Sequence, residues 1–175
     1  MIVPGDPKVF LRTVVDPACT LLTAFTGRPA MGSDAGRVLT LAIAIQETRL
    51  ATRLQLDENG KALRKYGRGW WQFEAGGGVL GVMNHPASRV TAQAVCQLCF
   101  VPWAKGDIHE AIAWHDLLAP CFARLLLWTD PLPLPTPIEP DKAWLYYVRV
   151  WNPGKPRPEA WKASHQLAYE TVTGR

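Results

Sequence analysis

The sequence predicts a mostly α-helical single domain with little or no sheet, on three observations. Val38, Leu41, Ala42 and Ile45 recur at the 3.6-residue helical period behind the capping candidates Ser33 and Asp34. From Pro86 onward, apolar periodicity of the same kind dominates. The stretch richest in aromatics, Trp70-Trp71-Gln72-Phe73-Glu74, is bounded by glycines and reads as a binding loop, not as a strand. With 175 residues the chain fits one domain, residues 1–175. Its 48% hydrophobic content and 8 Trp exclude a disordered chain, because burial can offset the ordering entropy. No repeat of 20–50 residues occurs, which excludes solenoids and propellers.

The elements follow in order. The first helix is expected from Ser33 or Asp34 to about residue 54, its apolar stripe ending at Gln46-Glu47-Thr48-Arg49, so that Glu47 lies in the last part of a core helix. Asp57-Glu58-Asn59-Gly60 is a turn. Further helices are expected over 87–100, over 108–127 with a break or kink at Pro120, over 142–150 and over 158–171. The prolines between 131 and 137 make a stiff extended spacer.

The net charge of +4 is spread along the chain and selects no polyanion. Residues 1–7 have no basic segment followed by an apolar one, so no signal peptide is expected; the best apolar run, 117–128, is interrupted by Pro120 and Arg124 and is too short to span a bilayer. The expected product is soluble and made in the cytoplasm. Cys19, Cys96, Cys99 and Cys121 are expected as buried free thiols, because a second close pair is missing and a cytoplasmic origin disfavours disulfides. His109 and His115, six apart, do not share the i, i+4 spacing of metal ligands, and His85 reads as a turn or cap residue. No metal and no cofactor are expected.

One carboxylate has the setting that glycosidic chemistry needs. Protonating a leaving oxygen near neutral pH requires a carboxylic acid whose pKa is raised, and burial at the end of an apolar helix would do this for Glu47. The alternative for Glu47 is a surface residue paired with Arg49, Arg53 or Lys61. A second carboxylate, if the reaction uses water, is best sought in Glu74 on the glycine-held loop, ahead of Asp57; Glu74 could equally pair with Arg68. Trp70, Trp71 and Phe73 are either core aromatics or faces on which sugar rings stack.

Three segments in order, Ala44-Ile45-Gln46-Glu47-Thr48-Arg49-Leu50, Gly69-Trp70-Trp71-Gln72 and Trp151-Asn152-Pro153-Gly154-Lys155-Pro156, followed by Trp161, resemble the soluble lytic transglycosylase and goose-type lysozyme superfamily over roughly residues 35–165. That family carries a Glu-Ser dipeptide on a helix, a Gly-x-x-Gln loop and an Ala-Tyr-Asn-Ala-Gly turn. The resemblance implies a lysozyme-like fold with Glu47 as general acid, Thr48 in the place of the Ser, Gln72 at the loop position, and Asn152 with Gly154 lining the sugar groove. Trp151 and Pro153 stand where the family has Tyr and Ala, and Tyr146 or Tyr147 is left to supply the phenol that meets the catalytic carboxyl. The string around Trp71-Gln72-Phe73-Glu74 and Gly76-Gly77-Gly78 is also similar to small lysozyme-like phage proteins.

The expected activity is cleavage of the β-1,4 bond between N-acetylmuramic acid and N-acetylglucosamine, by a transglycosylase route with Glu47 alone or by hydrolysis with Glu74 as partner. The expected partner is bacterial peptidoglycan, with no nucleic acid and no membrane insertion. The product would act at the cell wall, released through a holin or carried in a phage particle. The competing expectation is a non-catalytic glycan-binding or structural phage component on the same scaffold.

Overall fold

The computed structural model describes residues 5–55, 57–61, 63 and 66–175; residues 1–4, where the reading of the N-terminus began, lie outside them. It is 63% helical, and among the described residues there is no strand or sheet, as the sequence predicts. Two isolated bridges, Leu54 with Arg68 and Arg68 with Phe73, are the only β-type pairings described.

The first helix, α1 (Pro7–Thr26), was not foreseen, although its signals are present. The Asp6 carboxylate accepts the N–H groups of Lys8 and Val9 at 2.9 and 3.3 Å, Pro7 occupies the first turn, and Gly27 closes the helix at φ 64°. A widened turn over Leu11–Val15 precedes Pro17, whose ring has no N–H and crowds the carbonyl four residues back. By length and composition this helix could cross a membrane. Here it buries Phe10, Val14, Val15, Ala18 and Leu22 in the core, and Asp16 on its flank holds Arg37 by two hydrogen bonds of 2.8 and 3.1 Å.

Helix α2 (Asp34–Thr48) begins where expected, with the Ser33 hydroxyl accepting the Gly36 N–H at 3.2 Å, but ends six residues early. Arg49 and Leu50 both turn left-handed, at φ 53° and 55°, and the reversal sinks Leu50 into the core. Nor is α2 striped: Leu39, Ile43 and Ala44 are as buried as Val38, Leu41 and Ala42, because it is the central helix, enclosed on nearly all sides.

Short helix α3 (Leu80–Asn84) follows a widened turn at Ala75–Val79, and α4 (Arg89–Leu98) comes after it. The helix expected over 108–127 is two, α5 (Lys105–Ile112) and α6 (Leu118–Trp128). They separate around His115, whose Nδ1 accepts the N–H groups of Leu117 and Leu118 at 3.3 Å each. Pro120 does not break the helix, since it falls in the first turn of α6, where no intrahelical donor is needed. Helices α7 (Pro140–Trp151) and α8 (Pro158–Thr173) complete the fold. α8 packs along α2, and α7 packs on α8. The four cysteines are free, three buried and Cys99 partly exposed.

Candidate active site

Everything meets at the C-terminal end of α2. Glu47 is half-buried there, and the Tyr147 hydroxyl, from α7, donates to its Oε1 at 2.6 Å. Burial raises the Glu47 pKa above the ordinary carboxylate value, opposed by the Tyr147 hydrogen bond and by the charge of Arg157. Burial, and then the Glu47 charge, push the Tyr147 phenol well up, so it is a donor at any working pH. Its ring is stacked on Trp161 at 5.0 Å and 9°, and Trp144 closes on both rings at 5.5 and 5.7 Å. Two indoles, one from α7 and one from α8, thus hold one phenol against one carboxyl.

The second segment joins through Thr48, whose hydroxyl donates to the Ala44 carbonyl at 2.9 Å and contacts the Trp70 carbonyl at 3.2 Å. It therefore ties α2 to the aromatic loop and is not open to a substrate, being buried. That loop closes as a tight turn: Arg68 N–H donates to Phe73 O at 3.0 Å and Phe73 N–H returns to Arg68 O at 2.9 Å. Gly69 sits at φ 71°, where a Cβ would stand 2.6 Å from the Ile112 carbonyl oxygen. Gly78, just beyond, lies so close to the Phe73 ring that a Cβ would come within 2.7 Å of it.

The third segment joins through Trp151, one turn after Tyr147 on the same face of α7. Its indole N–H donates to the Trp71 carbonyl at 3.0 Å and its ring lies 5.4 Å from Phe73. Asn152 ends α7 in the left-handed region at φ 46°, and Asn152 and Gly154 are exposed beside it. The three motif segments, far apart in sequence, are thus joined by Thr48–Trp70 and Trp71–Trp151, and Glu47–Tyr147 ties the first to the helix that leads into the third.

Several expectations are corrected. Trp70 and Trp71 are core residues, 5% and 0% exposed, so neither offers a face to a sugar. The Trp71 indole donates to the Thr40 carbonyl at 2.8 Å; that of Trp70 donates to Asp116 at 3.2 Å, with Arg53 over its ring at 4.5 Å. The physical cause is that each indole finds a partner inside, Thr40 for Trp71 and Asp116 with Arg53 for Trp70, so burial leaves neither N–H unsatisfied. Tyr146 faces away from Glu47 and donates to the Leu127 carbonyl at 2.8 Å. Gln72, at φ 49°, folds its amide back on the Gly69 carbonyl at 2.9 Å. Glu74 is exposed, with no side-chain hydrogen bond among the described residues, and Arg68 pairs with Glu110 instead. Glu47 pairs with Tyr147 and feels Arg157, not Arg49, Arg53 or Lys61.

Sequence reasoning missed Gln46 and Arg157 as a unit. The Arg157 guanidinium donates to the Gln46 carbonyl, the Gln46 amide donates to the Arg157 carbonyl at 2.9 Å, and Ser164 donates to Gln46 Oε1 at 3.0 Å. A separation of 111 residues gives no local signal of this clamp. His85 and His109 are structural: the first accepts the Ala87 N–H at 3.1 Å, and the second, buried, meets the Phe73 carbonyl at 2.8 Å. Among the described residues no three His, Cys, Asp or Glu side chains gather as metal ligands. Comparison with protein-family models, curated proteins and solved structures found nothing that matches this chain.

Proposed function

We propose that the chain is a peptidoglycan-cleaving muramidase of the lytic transglycosylase or lysozyme type, with Glu47 as general acid. The observation that carries this reading is the 2.6 Å hydrogen bond from Tyr147 to a half-buried carboxyl at the junction of the three motif segments. A carboxyl whose pKa burial raises can give its proton to the glycosidic oxygen as the bond to the anomeric carbon breaks. Tyr147, held between Trp144 and Trp161, fixes the carboxyl and shares the charge left on it. The Glu47 carboxylate can then take the proton of the muramic acid 6-hydroxyl as that oxygen closes on the anomeric carbon, leaving a 1,6-anhydro end. One carboxylate suffices for this route, which agrees with the exposed position of Glu74. Peptidoglycan would be met by a phage product released through a holin or carried in the particle.

The test is digestion of purified cell wall, followed by turbidity and by mass analysis of the muropeptides. Wild type should release anhydro products and Glu47→Gln should not; equal behaviour of the two would remove the assignment. The inward-turned Trp70 and Trp71 favour a second reading, a glycan-binding or structural phage component without activity, because they take away the expected stacking faces. Binding of wall fragments with no cleavage between about pH 4 and 8 would select it.

A further inference from the structure

On the neighbouring face of the same helix end lies a cavity of about 350 Å³, near the small end of the roughly 300–1,000 Å³ usual for ligand pockets. Its walls are Ile45 and Leu50 from the end of α2 and Ala163 and Leu167 from α8, and the cations Arg49 and Arg157 also line it. Among the described residues no carboxylate lines it. The polar wall groups beside the arginines are engaged with each other: both ends of the Gln46 amide are used, by Ser164 and by the Arg157 carbonyl. Arg49 is exposed and forms no ion pair among the described residues. It also occupies a left-handed position, φ 53°, which an arginine adopts only at a cost of about 1–2 kcal/mol.

We infer that this cavity binds a carboxylate carried on a short aliphatic body, its head on the guanidinium groups of Arg49 and Arg157 and its tail against Ile45, Leu50, Ala163 and Leu167. A guanidinium fork matches a planar carboxylate in two parallel hydrogen bonds, and apolar walls without a competing acid leave the tail as the complementary half. The site is distinct from the Glu47 carboxyl and does not depend on the activity proposed for it. Arg157 belongs to both, since it faces the cavity and its charge acts on Glu47.

Calorimetric titration of the full chain with octanoate, with N-acetyl-leucine and with octanol tests it. Saturable binding of at least one carboxylate, at least tenfold tighter than that of octanol, is expected; whichever carboxylate binds tighter names the source, acyl chain or amino-acid terminus. Arg49→Gln, at an exposed position, should weaken carboxylate binding at least tenfold without altering the fold, and Ala163→Leu should block it by filling the space. Should Ala163→Leu fail to fold, Leu167→Trp serves the same purpose. Equal binding of octanol and octanoate, no binding of either carboxylate at millimolar concentration, or an Arg49→Gln variant that binds as wild type would overturn the proposal.

Discussion

The Tyr147 hydroxyl donates to Glu47 Oε1 at 2.6 Å across a sequence separation of 100 residues. Its proton favours the charged form of a carboxyl whose neutral form burial favours, so the two effects oppose each other on one group. Tyr147→Phe removes the donor and keeps the ring stack on Trp161. The Glu47 pKa should move further up, and the alkaline limb of any acid-catalysed activity should shift to higher pH. Stability should fall by about 1–3 kcal/mol where Glu47 is charged and loses its partner, and by less in acid, where it is neutral. A pH profile that stays in place would separate Tyr147 from the titration of Glu47.

Glu47→Gln should lower wall cleavage at least about a hundredfold and should also stabilise the protein at neutral pH. Folding raises this carboxyl's pKa above its unfolded value of about 4.3. The favourable contribution is therefore complete below that value and is lost as pH rises through the folded pKa, so Glu47 counts increasingly against the fold toward neutral pH. Each kcal/mol relieved is worth about 2–4 °C in Tm at this chain length. Melting curves at pH 7 and pH 4 should show the variant ahead at the first and level with wild type at the second; a variant less stable at pH 7 contradicts the raised pKa.

Trp71→Ala should behave as a core deletion. The indole is fully buried and donates to the Thr40 carbonyl, so about 3–5 kcal/mol should be lost, and Tm should fall by roughly 10 °C or more. A well-folded variant with a small change in Tm and a large loss of glycan binding would return Trp71 to a binding role.

Glu74→Gln, on an exposed carboxylate, should change stability by no more than about 0.5 kcal/mol. It should reduce cleavage only mildly if products end in 1,6-anhydromuramic acid. Mass spectrometry distinguishes the two ends by one water per bond; reducing ends together with an inactive Glu74→Gln would make Glu74 the water-activating base.

Gly69→Ala should destabilise by at least about 1–3 kcal/mol, since the residue stands at φ 71° and its new methyl would press on the Ile112 carbonyl. The measurement is the urea midpoint; an unchanged value would mean that the turn is free to move away from α5.

The sequence made the helical architecture, α2's N-terminal cap and the helices α4, α7 and α8 legible, because each carries its own period and end signals. Asp6, Pro7 and the Phe10, Val14, Ala18, Leu22 series carry the same kind of cap and period for α1. Glu47 and its phenol could be named from pattern, but the choice of Tyr147 over Tyr146 depends on which side of α7 meets α2, and adjacent residues on a helix differ in that by about 100°. The direction of Trp70 and Trp71 was not legible at all, since glycine-bounded aromatics serve a groove or a core with the same composition. The Gln46–Arg157 clamp depends on tertiary packing alone.

The partners that hold the end of α2 are distributed along the chain in a way that bears on how the protein is made. Thr48 meets Trp70 after 22 residues, Glu47 meets Tyr147 after 100, and Gln46 meets Ser164 after 118. On the ribosome, α1 and α2 can emerge and pair early, yet Glu47 has no donor until α7 has left the exit tunnel, and Gln46 has no clamp until α8 follows. The Glu47 carboxyl therefore gains its phenol only about 100 residues after it is made, at about 5–20 residues per second, and a nascent chain stalled before residue 147 has all of α2 without that hydrogen bond.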